Sequence, residues 1–323
     1  MMNEISNQTK GKLNGILPVY KEPGPTSHDI VYRIRRVLKS VDKKIKVGHS
    51  GTLDPFADGV LVMGIGKGTR LLDYMKDMPK TYIMEFRLGM VTDTYDITGK
   101  LIEDVDISPD PDIFRNTILS FRGAYDQVPP VFSAKKYQGK KLYELARKGE
   151  IIKMPPKRIS IFDISVLEIK GREARISATV SPGTYMRSLA MDIGYKLGNG
   201  ATAITLSRIE NSGVKISECI RTDGELNIND LLEKIISMKE ALSFMPGITL
   251  KDEFTTRILN GGQVFCEYIS ASDEFSKDDD VKIINESGEF LALAKADRTF
   301  SFVEKKITAN ENIRVAKLCK VFK

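Results

Sequence analysis

The segment from Thr81 to Leu88 alternates its side chains with a period of two residues. One face carries Tyr82, Met84, Phe86 and Leu88, and the other carries Thr81, Ile83, Glu85 and Arg87. Successive side chains of a β-strand point to opposite sides, so this pattern predicts a strand with one buried face. The chain is therefore expected to build a sheet.

Two further segments predict strands that pair with each other. They are Ile161–Ile169 and Ala174–Val180, and the turn-prone residues Lys170-Gly171-Arg172 separate them. A short turn of this kind between two strand-like runs predicts an antiparallel hairpin. The run Val60–Ile65, which follows the glycine-rich residues 48–51, is also strand-like.

Helices are predicted between these strands. Thr26 or Ser27 is a suitable N-cap for a helix that ends near Lys39, and apolar residues after Gly183 recur at helical spacing as far as Gly198. Strands dominate the pattern and helices are inserted between them. This indicates an α+β fold with a mixed, largely antiparallel central sheet and flanking helices.

The chain is long enough for two domains, because 323 residues exceed the roughly 150 residues of one typical domain. Residues 221–246 predict a mostly helical connector, with a helix over Leu231–Leu242. The remainder reads as a short helix followed by strands. We therefore expect a catalytic domain over residues 1–240 and a small β-rich domain over residues 241–323.

Composition places limits on the class of protein and its location. The longest near-apolar stretch falls far short of the roughly 20 residues of a membrane-spanning helix, and the N-terminal residues lack the apolar run of a secretory signal. Cys219, Cys266 and Cys319 are odd in number and far apart, which favours reduced thiols. We expect a cytoplasmic protein with no membrane partner.

Positive charge is concentrated in one segment. The net charge of +6 is modest, but residues 131–158 hold nine Lys or Arg side chains against two Glu, whereas residues 91–130 hold three against eight acids. A basic segment favours a polyanionic partner, although such a run is more often a solvated face.

Common cofactor and metal motifs do not fit the sequence. The glycines near residue 64 lack the spacing of a P-loop or of a dinucleotide fingerprint, and no serine lies in a nucleophile-elbow pattern. Only two histidines are present, and no cysteine pair has metal-ligand spacing. Asp54 with Asp58, or Asp93 with Asp96, could share Mg²⁺, but such residues more often cap turns. We expect neither a metal nor a cofactor.

Four sequence blocks share the pattern of a known family. They are KVGHSGTLDP (46–55), LGMVTDTYDITG (88–99), residues 127–150 and residues 181–203. Together they resemble the TruB family of tRNA pseudouridine-55 synthases, and the resemblance covers most of residues 15–210. Beyond about residue 245 a looser resemblance is to a PUA-like RNA-binding domain. The sequence departs from the family at Lys21-Glu22-Pro23-Gly24, where the proline lies one place later than usual.

The resemblance implies a pseudouridine synthase fold and three catalytic residues. Asp54 would be the nucleophile, attacking ribose C1′ or uracil C6 or aiding elimination to a glycal, and these three routes stay open. Tyr82 would stack on the target base, and Arg187 would hold Asp54 ionised. Without the resemblance, the same residues read as a turn aspartate before Pro55, a core aromatic and a solvated surface arginine.

The resemblance also implies residues that bind substrate. His49 would fill the gap left by the flipped-out uridine, and the alternative is a loop histidine that bonds the backbone. Tyr185 and Leu206 would line the uracil pocket. The candidates for contact with the RNA backbone are Lys21, Lys135, Lys136, Lys140 and Lys141, with Tyr137 and Tyr143 as possible stacking partners.

The resemblance thus implies an isomerase that acts on the T-loop uridine of tRNA and needs the T stem and loop but no obligatory protein partner. Three alternatives are a guide-RNA-dependent synthase, a non-enzymatic RNA-binding protein and a Mg²⁺-dependent phosphoryl-transfer enzyme. Activity of the purified protein on bare tRNA separates them.

Overall fold

The structure of the protein is a computed structural model. It describes residues 13–323 except 134–135, 143–149, 151, 153 and 225, and of residues 136, 137, 140 and 141 it describes the backbone alone. The chain divides into two compact units, one over Leu17–Ile235 and one over Ile236–Lys323 together with Asn14–Ile16.

The first unit is built on a large mixed sheet. Its strand order is β14-β1-β3-β12-β4-β11-β10-β7, with β12, β4, β11, β10 and β7 running antiparallel to their neighbours and β3 parallel to β12. The expected α+β class with a largely antiparallel sheet is confirmed. The strands up to residue 221 are β1 (Gly15–Lys21), β2 (Val47–His49), β3 (Asp58–Ile65), β4 (Lys80–Leu88), β5 (Met90–Thr92), β6 (Leu101–Asp104), β7 (Gly123–Gln127), β8 (Lys136–Tyr137), β9 (Lys140–Lys141), β10 (Lys157–Lys170), β11 (Glu173–Val180), β12 (Ala201–Asn211), β13 (Val214–Lys215) and β14 (Ile220–Arg221).

Helices lie beside this sheet. Among the described residues of the first unit they are α1 (Ser27–Leu38), α2 (Leu72–Met75), α3 (Pro111–Leu119), α4 (Met186–Lys196) and α5 (Ile228–Lys234). Thr26 caps α1 by accepting a hydrogen bond from the backbone N–H of Asp29, whose carboxylate accepts one from the Thr26 N–H. This reciprocal cap explains why the helix begins where the sequence predicted it.

Two apolar cores stabilise the first unit. One joins β4, β11, β12 and α4, and in it the rings of Phe86 and Phe114 meet edge to face at 5.9 Å. The other buries Ile30, Ile34 and Leu38 of α1 against β1 and β3. The alternation predicted for residues 81–88 is observed, because every second residue of β4 from Lys80 to Leu88 is buried.

Gly59 allows two strands of the sheet to meet closely. Its φ is +110°, and a Cβ on it would lie 2.3 Å from the carbonyl oxygen of Arg208 on β12. Only glycine fits this position, because any side chain would collide with the neighbouring backbone and strain its own. The contact brings Arg208 beside the start of β3.

The α-helices and strands of the second unit are β15 (Ile236–Ser237), α6 (Met238–Ala241), β16 (Gly247–Leu250), α7 (Thr255–Leu259), β17 (Val264–Phe265), β18 (Ile269–Ser272), β19 (Asp280–Asn285), β20 (Phe290–Ala296), α8 (Phe300–Thr308) and β21 (Arg314–Val321). Six of these strands form a sheet in the order β17-β21-β20-β19-β16-β18, and the unit has its own apolar core. The mostly helical stretch expected over Leu231–Leu242 is present but interrupted, because α5 ends at Lys234 and α6 spans only Met238–Ala241. The β-branched residues Ile235 and Ile236 are extended, and Ser237 caps a new short helix.

Candidate active site

The loop that carries Asp54 joins β2 to β3 and is held on both sides of that residue. The Ser27 hydroxyl donates to Leu53 O at 3.1 Å and accepts from Leu53 N at 2.9 Å. The backbone N–H of Gly24 donates to Pro55 O at 2.7 Å. The peptide units next to Asp54 are therefore fixed to the start of α1 and to the loop before it.

Arg208 supports the same loop from within the sheet. Its guanidinium is almost fully buried and donates to Val60 O at 2.7 Å, Gly51 O at 3.3 Å and Thr52 O at 3.4 Å. This residue was not among those expected from the sequence. Its only local signal is a charged side chain at an inward position of a strand-like run, and its loop partners lie about 150 positions away in the chain.

Arg187 lies between two carboxylates. Its Nε is 2.9 Å from Asp54 Oδ2, although the N–H is not aligned for a hydrogen bond, and its Nη1 is 3.1 Å from Asp96 Oδ2. The other guanidinium donors reach Thr94 O at 2.7 Å and Phe132 O at 3.1 Å. A cation in the first turn of α4 opposes the helix dipole, and the two carboxylates offset this cost.

Asp96 is the second residue that the sequence analysis did not place in this site. It is buried in a tight loop after β5, where Tyr95 has a φ of +64°. Asp96 Oδ1 accepts hydrogen bonds from Thr94 Oγ1, Thr98 N and Thr98 Oγ1 at 2.5–3.0 Å, which leaves Oδ2 for Arg187. Asp96 is thereby oriented as a partner of Arg187.

Tyr82 belongs both to the apolar core and to the wall of a cleft. It lies on β4 opposite Ala178 and Arg208, and its side chain is 7% exposed. Its hydroxyl is 3.5 Å from Arg208 Nη1. Leu206, two residues before Arg208 on β12, packs in the same core and lines the same cleft.

Gln127 holds Tyr185 at the N-cap of α4. The Gln127 side chain accepts from Tyr185 N at 2.8 Å and donates to Tyr185 O at 3.1 Å, and it also donates to the Tyr125 hydroxyl. Burial raises the pKa of Tyr185, so its phenol is neutral at ordinary pH.

These elements enclose a cleft of about 460 Å³. Asp54, Tyr82, Tyr185, Arg187 and Leu206 all line it. Of the residues that the structure describes, five cationic side chains and one carboxylate, that of Asp54, contribute to its wall. The cations are Lys76, Lys80, Lys157, Arg187 and Arg208. A cleft of this size can enclose a small ligand, and the excess of cations in its lining favours a ligand that carries negative charge.

His49 is half-buried in β2 and does not line the described wall of this cleft. Its Nδ1 accepts a hydrogen bond from the Gly51 N–H at 3.2 Å, which is the contact expected for a loop histidine. Burial lowers the pKa of His49. Its contact with RNA stays a prediction.

The structure corrects the expectation for Lys21. This side chain is fully buried, and its Nζ donates to Glu22 O at 2.8 Å and Pro55 O at 3.3 Å. Burial lowers its pKa to about 8. Lys21 therefore supports the loop that carries Asp54 and is not presented to an RNA phosphate.

The basic segment is described only in part. Lys135 and Tyr143 lie outside the described residues, and for Lys136, Tyr137, Lys140 and Lys141 only the backbone is described, as a small two-stranded ladder. Their contacts with RNA stay predictions.

Among the described residues, no group of three or more His, Cys, Asp or Glu side chains is placed to hold a metal ion. The three cysteines are free. None of the helices that the structure describes is long and apolar enough to span a membrane.

Sequence comparison places this chain among known proteins. A sequence model of the TruB family pseudouridylate synthase N-terminal domain matches residues 35–186, and one of the PUA domain matches residues 246–299. Proteins described as tRNA pseudouridine synthase B are similar over nearly their whole length. The Thermotoga petrophila protein is 46% identical, and the aligned region spans 96% of this chain and 98% of that protein. That of Clostridium perfringens is 40% identical and covers 91% of this chain and 98% of its own.

Solved structures with a similar fold include two complexes that contain proteins of comparable length. An H/ACA ribonucleoprotein bound to a substrate RNA that contains 2′-deoxyuridine has a TM-score of 0.74 at 24% identity, and covers 97% of this chain and 87% of that one. A Cbf5-Nop10-Gar1 complex has a TM-score of 0.72 at 25% identity, and covers 97% of this chain and 86% of that one.

Proposed function

Since this chain belongs to the TruB family of pseudouridylate synthases, we propose that it converts the T-loop uridine at position 55 of tRNA to pseudouridine, with Asp54 as the nucleophile. The observation that carries the assignment is the contact of Asp54 with Arg187 in the wall of the cleft that Tyr82 also lines.

The reaction exchanges one glycosidic bond for another. The N1–C1′ bond of uridine breaks, a C5–C1′ bond forms, the C5 proton leaves and N1 gains a proton, so no oxidant or reductant is consumed. A carboxylate that bonds transiently to the ribose or the ring divides this exchange into two easier steps. Asp54 can act at ribose C1′, at uracil C6 or in elimination to a glycal.

The side chains around Asp54 serve this role. The Arg187 guanidinium lies against the Asp54 carboxylate and orients it, and Asp96 holds Arg187 from its other side. The hydrogen bonds from Ser27, Gly24 and Arg208 fix the loop, so Asp54 is positioned before substrate arrives. Tyr82 offers an aromatic face to a uracil that has been flipped out of its stack.

Recognition of tRNA is assigned to two parts of the chain. The basic residues between 131 and 158 would contact phosphates of the T arm, and the PUA domain at residues 246–299 would contribute further RNA contacts. We propose that the protein acts on tRNA in the cytoplasm without a guide RNA, a metal or an obligatory protein partner.

The test is the purified protein alone with unmodified tRNA transcripts, followed by mapping of pseudouridine at each position. The proposal predicts pseudouridine at position 55 and none in a control transcript with cytidine there. It also predicts that product forms in EDTA once the transcript is folded in monovalent salt. Absence of product from the purified protein, or product at other positions only, would overturn it.

A further inference from the structure

The cleft holds more positive charge than the catalytic cluster explains. Arg187 is balanced by Asp54 and Asp96, and Lys76 pairs with Asp73 at 3.5 Å. Lys80, Lys157 and Arg208 also line the cleft, but none of the three makes an ion pair with a residue that the structure describes. Arg208 directs its donors to the backbone of the Asp54 loop and to Tyr82. Lys80 and Lys157 therefore have no ion-pair partner among the described residues, although the carboxylate of Asp77 partly opposes the lowering of the Lys80 pKa.

Lys80 is buried, and one N–H of its ammonium group makes no hydrogen bond with a described residue. Its side chain is 8% exposed, and Nζ donates to Lys76 O and Met78 O, both at 2.9 Å. An ammonium has three N–H donors, so these bonds leave one unused by the described residues. Burial, together with the positive charge of Arg208, lowers its pKa to about 8. Burying a cation without a direct ion-pair partner is costly, and an anionic ligand that pairs with it recovers part of that cost.

Lys80 is the neighbour of Tyr82, the residue proposed to hold the base, on the same face of β4. It precedes Tyr82 by two residues on β4, so both side chains leave the same face of the strand. Its partners on the neighbouring strands are Val180 and Asn211, at the ends of β11 and β12. A group bound there would be close to, but separate from, a base stacked on Tyr82.

Lys157, at the start of β10, lines the same cleft as Lys80. Its Nζ is 3.4 Å from Pro182 O in the loop that follows β11. A Cβ on Gly183, which has a φ of +81°, would lie 2.5 Å from this Nζ. Glycine at position 183 therefore leaves the space that the Lys157 ammonium occupies.

We propose that Lys80 and Lys157 form a binding site for an RNA backbone phosphate directly next to the flipped uridine. The inference rests on the proposed function, because it takes RNA as the ligand. Each nucleotide carries one phosphate, and a uridine with its base on Tyr82 and its ribose at Asp54 has its flanking phosphates farther out along the cleft. Ammonium groups bind phosphate as point charges with short, charge-assisted hydrogen bonds.

The test uses T-arm hairpins in which one phosphate is replaced by a neutral methylphosphonate, either 5′ or 3′ of the target uridine. Kd is measured by fluorescence anisotropy for Lys80→Met, Lys157→Met and Lys170→Met, each in an Asp54→Asn background so that no reaction occurs. Lys170 is the matched control, because it ends the strand that Lys157 begins, is exposed and pairs with Glu168.

We expect Lys80→Met and Lys157→Met each to raise Kd about tenfold on the unmodified hairpin, as for the loss of one charge-assisted hydrogen bond. The dependence of log Kd on log salt should become shallower by about 0.7. One of the two methylphosphonate hairpins lacks the phosphate that the two lysines bind, and on that hairpin neither substitution should raise Kd further. That hairpin shows whether the bound phosphate lies 5′ or 3′ of the target uridine. Lys170→Met should leave every Kd unchanged.

The proposal would be overturned if Lys80→Met and Lys157→Met raised Kd equally on the unmodified hairpin and on both methylphosphonate hairpins. An equal rise in Kd for Lys170→Met would also overturn it. Lys157 is exposed, so its variant keeps the test valid if Lys80→Met fails to fold. Binding is read without catalysis. Failure of the proposed function would appear separately, as absence of pseudouridine from the unsubstituted protein on the same hairpin.

Discussion

The guanidinium of Arg187 contacts the carboxylate of Asp96, with 3.1 Å between Nη1 and Oδ2, and the side chains are 5% and 6% exposed. Because both charges are buried, each depends on the other for compensation. The same guanidinium reaches the more exposed Asp54 through Nε. The contact thus couples the stability of the first unit to the geometry of the proposed nucleophile.

Replacing Arg187 by methionine should separate these two effects. Arg187→Met leaves the Asp96 carboxylate buried without a cation, so we expect the free energy of unfolding to fall by about 3–5 kcal/mol and product formation to be lost. Adding Asp96→Asn removes the orphaned charge and should restore part of the stability but no activity. Urea unfolding and pseudouridine mapping of the unsubstituted chain and of the two variants check this. Recovered activity in the double variant would contradict the role of Arg187.

Tyr82 should contribute to binding through its ring. Tyr82→Phe keeps an aromatic face and should bind a T-arm hairpin as the unsubstituted chain does. Tyr82→Leu should weaken binding by about 1–3 kcal/mol, the value of one stacked base. Anisotropy titrations in the Asp54→Asn background measure both. Equal Kd values for the phenylalanine and leucine variants would rule out stacking on this residue.

Arg208 should act as a positioning residue through the loop that it holds. Arg208→Lys keeps the charge but cannot reproduce the forked contacts with Gly51, Thr52 and Val60. We expect kcat to fall about a hundredfold, as for a catalytic group displaced by about 1 Å, while Kd for RNA changes little. Arg175→Lys, an exposed position on β11, is the control and should leave both constants unchanged. A rise in Kd without a change in kcat would contradict this role.

Asp192 should make stability depend on pH. Burial raises its pKa to about 6, although the Tyr125 hydroxyl donates to it at 3.1 Å. Between its ordinary pKa of about 4 and pH 6, the native state holds a proton that the unfolded state has lost, so this residue makes the free energy of unfolding fall as pH rises. Asp192→Asn removes that contribution. In urea titrations, the free energy of unfolding of Asp192→Asn minus that of the unsubstituted chain should increase from pH 4 to pH 7. A difference that does not change with pH would contradict the assignment.

Local patterns predicted the elements that carry the site. The alternation in β4 placed Tyr82, and the N-cap at Thr26 placed Ser27, whose hydroxyl bonds both backbone groups of Leu53. These features depend on residues close in sequence, which is why periodicity and capping rules reveal them. The expected contact between Arg187 and Asp54 is present.

The remaining parts of the site depend on distant contacts. Asp96 meets Arg187 across 91 positions, and Arg208 meets Gly51 across 157, so no local pattern signals either pairing. The burial of Lys21 was missed for the same reason, since its partner Pro55 lies 34 positions away. The sequence shows that a side chain is charged. Only the tertiary fold shows whether its charged group faces solvent or bonds the backbone of the loop that carries Asp54.

The most direct test of the account is the reaction of Asp54→Asn with unmodified tRNA, compared with Asp163→Asn, an exposed aspartate on β10. Asparagine keeps the size of the side chain but removes its charge and its nucleophilic oxygen. The account predicts that Asp54→Asn binds tRNA and forms no pseudouridine at position 55, while Asp163→Asn forms it at the normal rate. Pseudouridine formed by Asp54→Asn at a rate similar to that of the unsubstituted chain would contradict it.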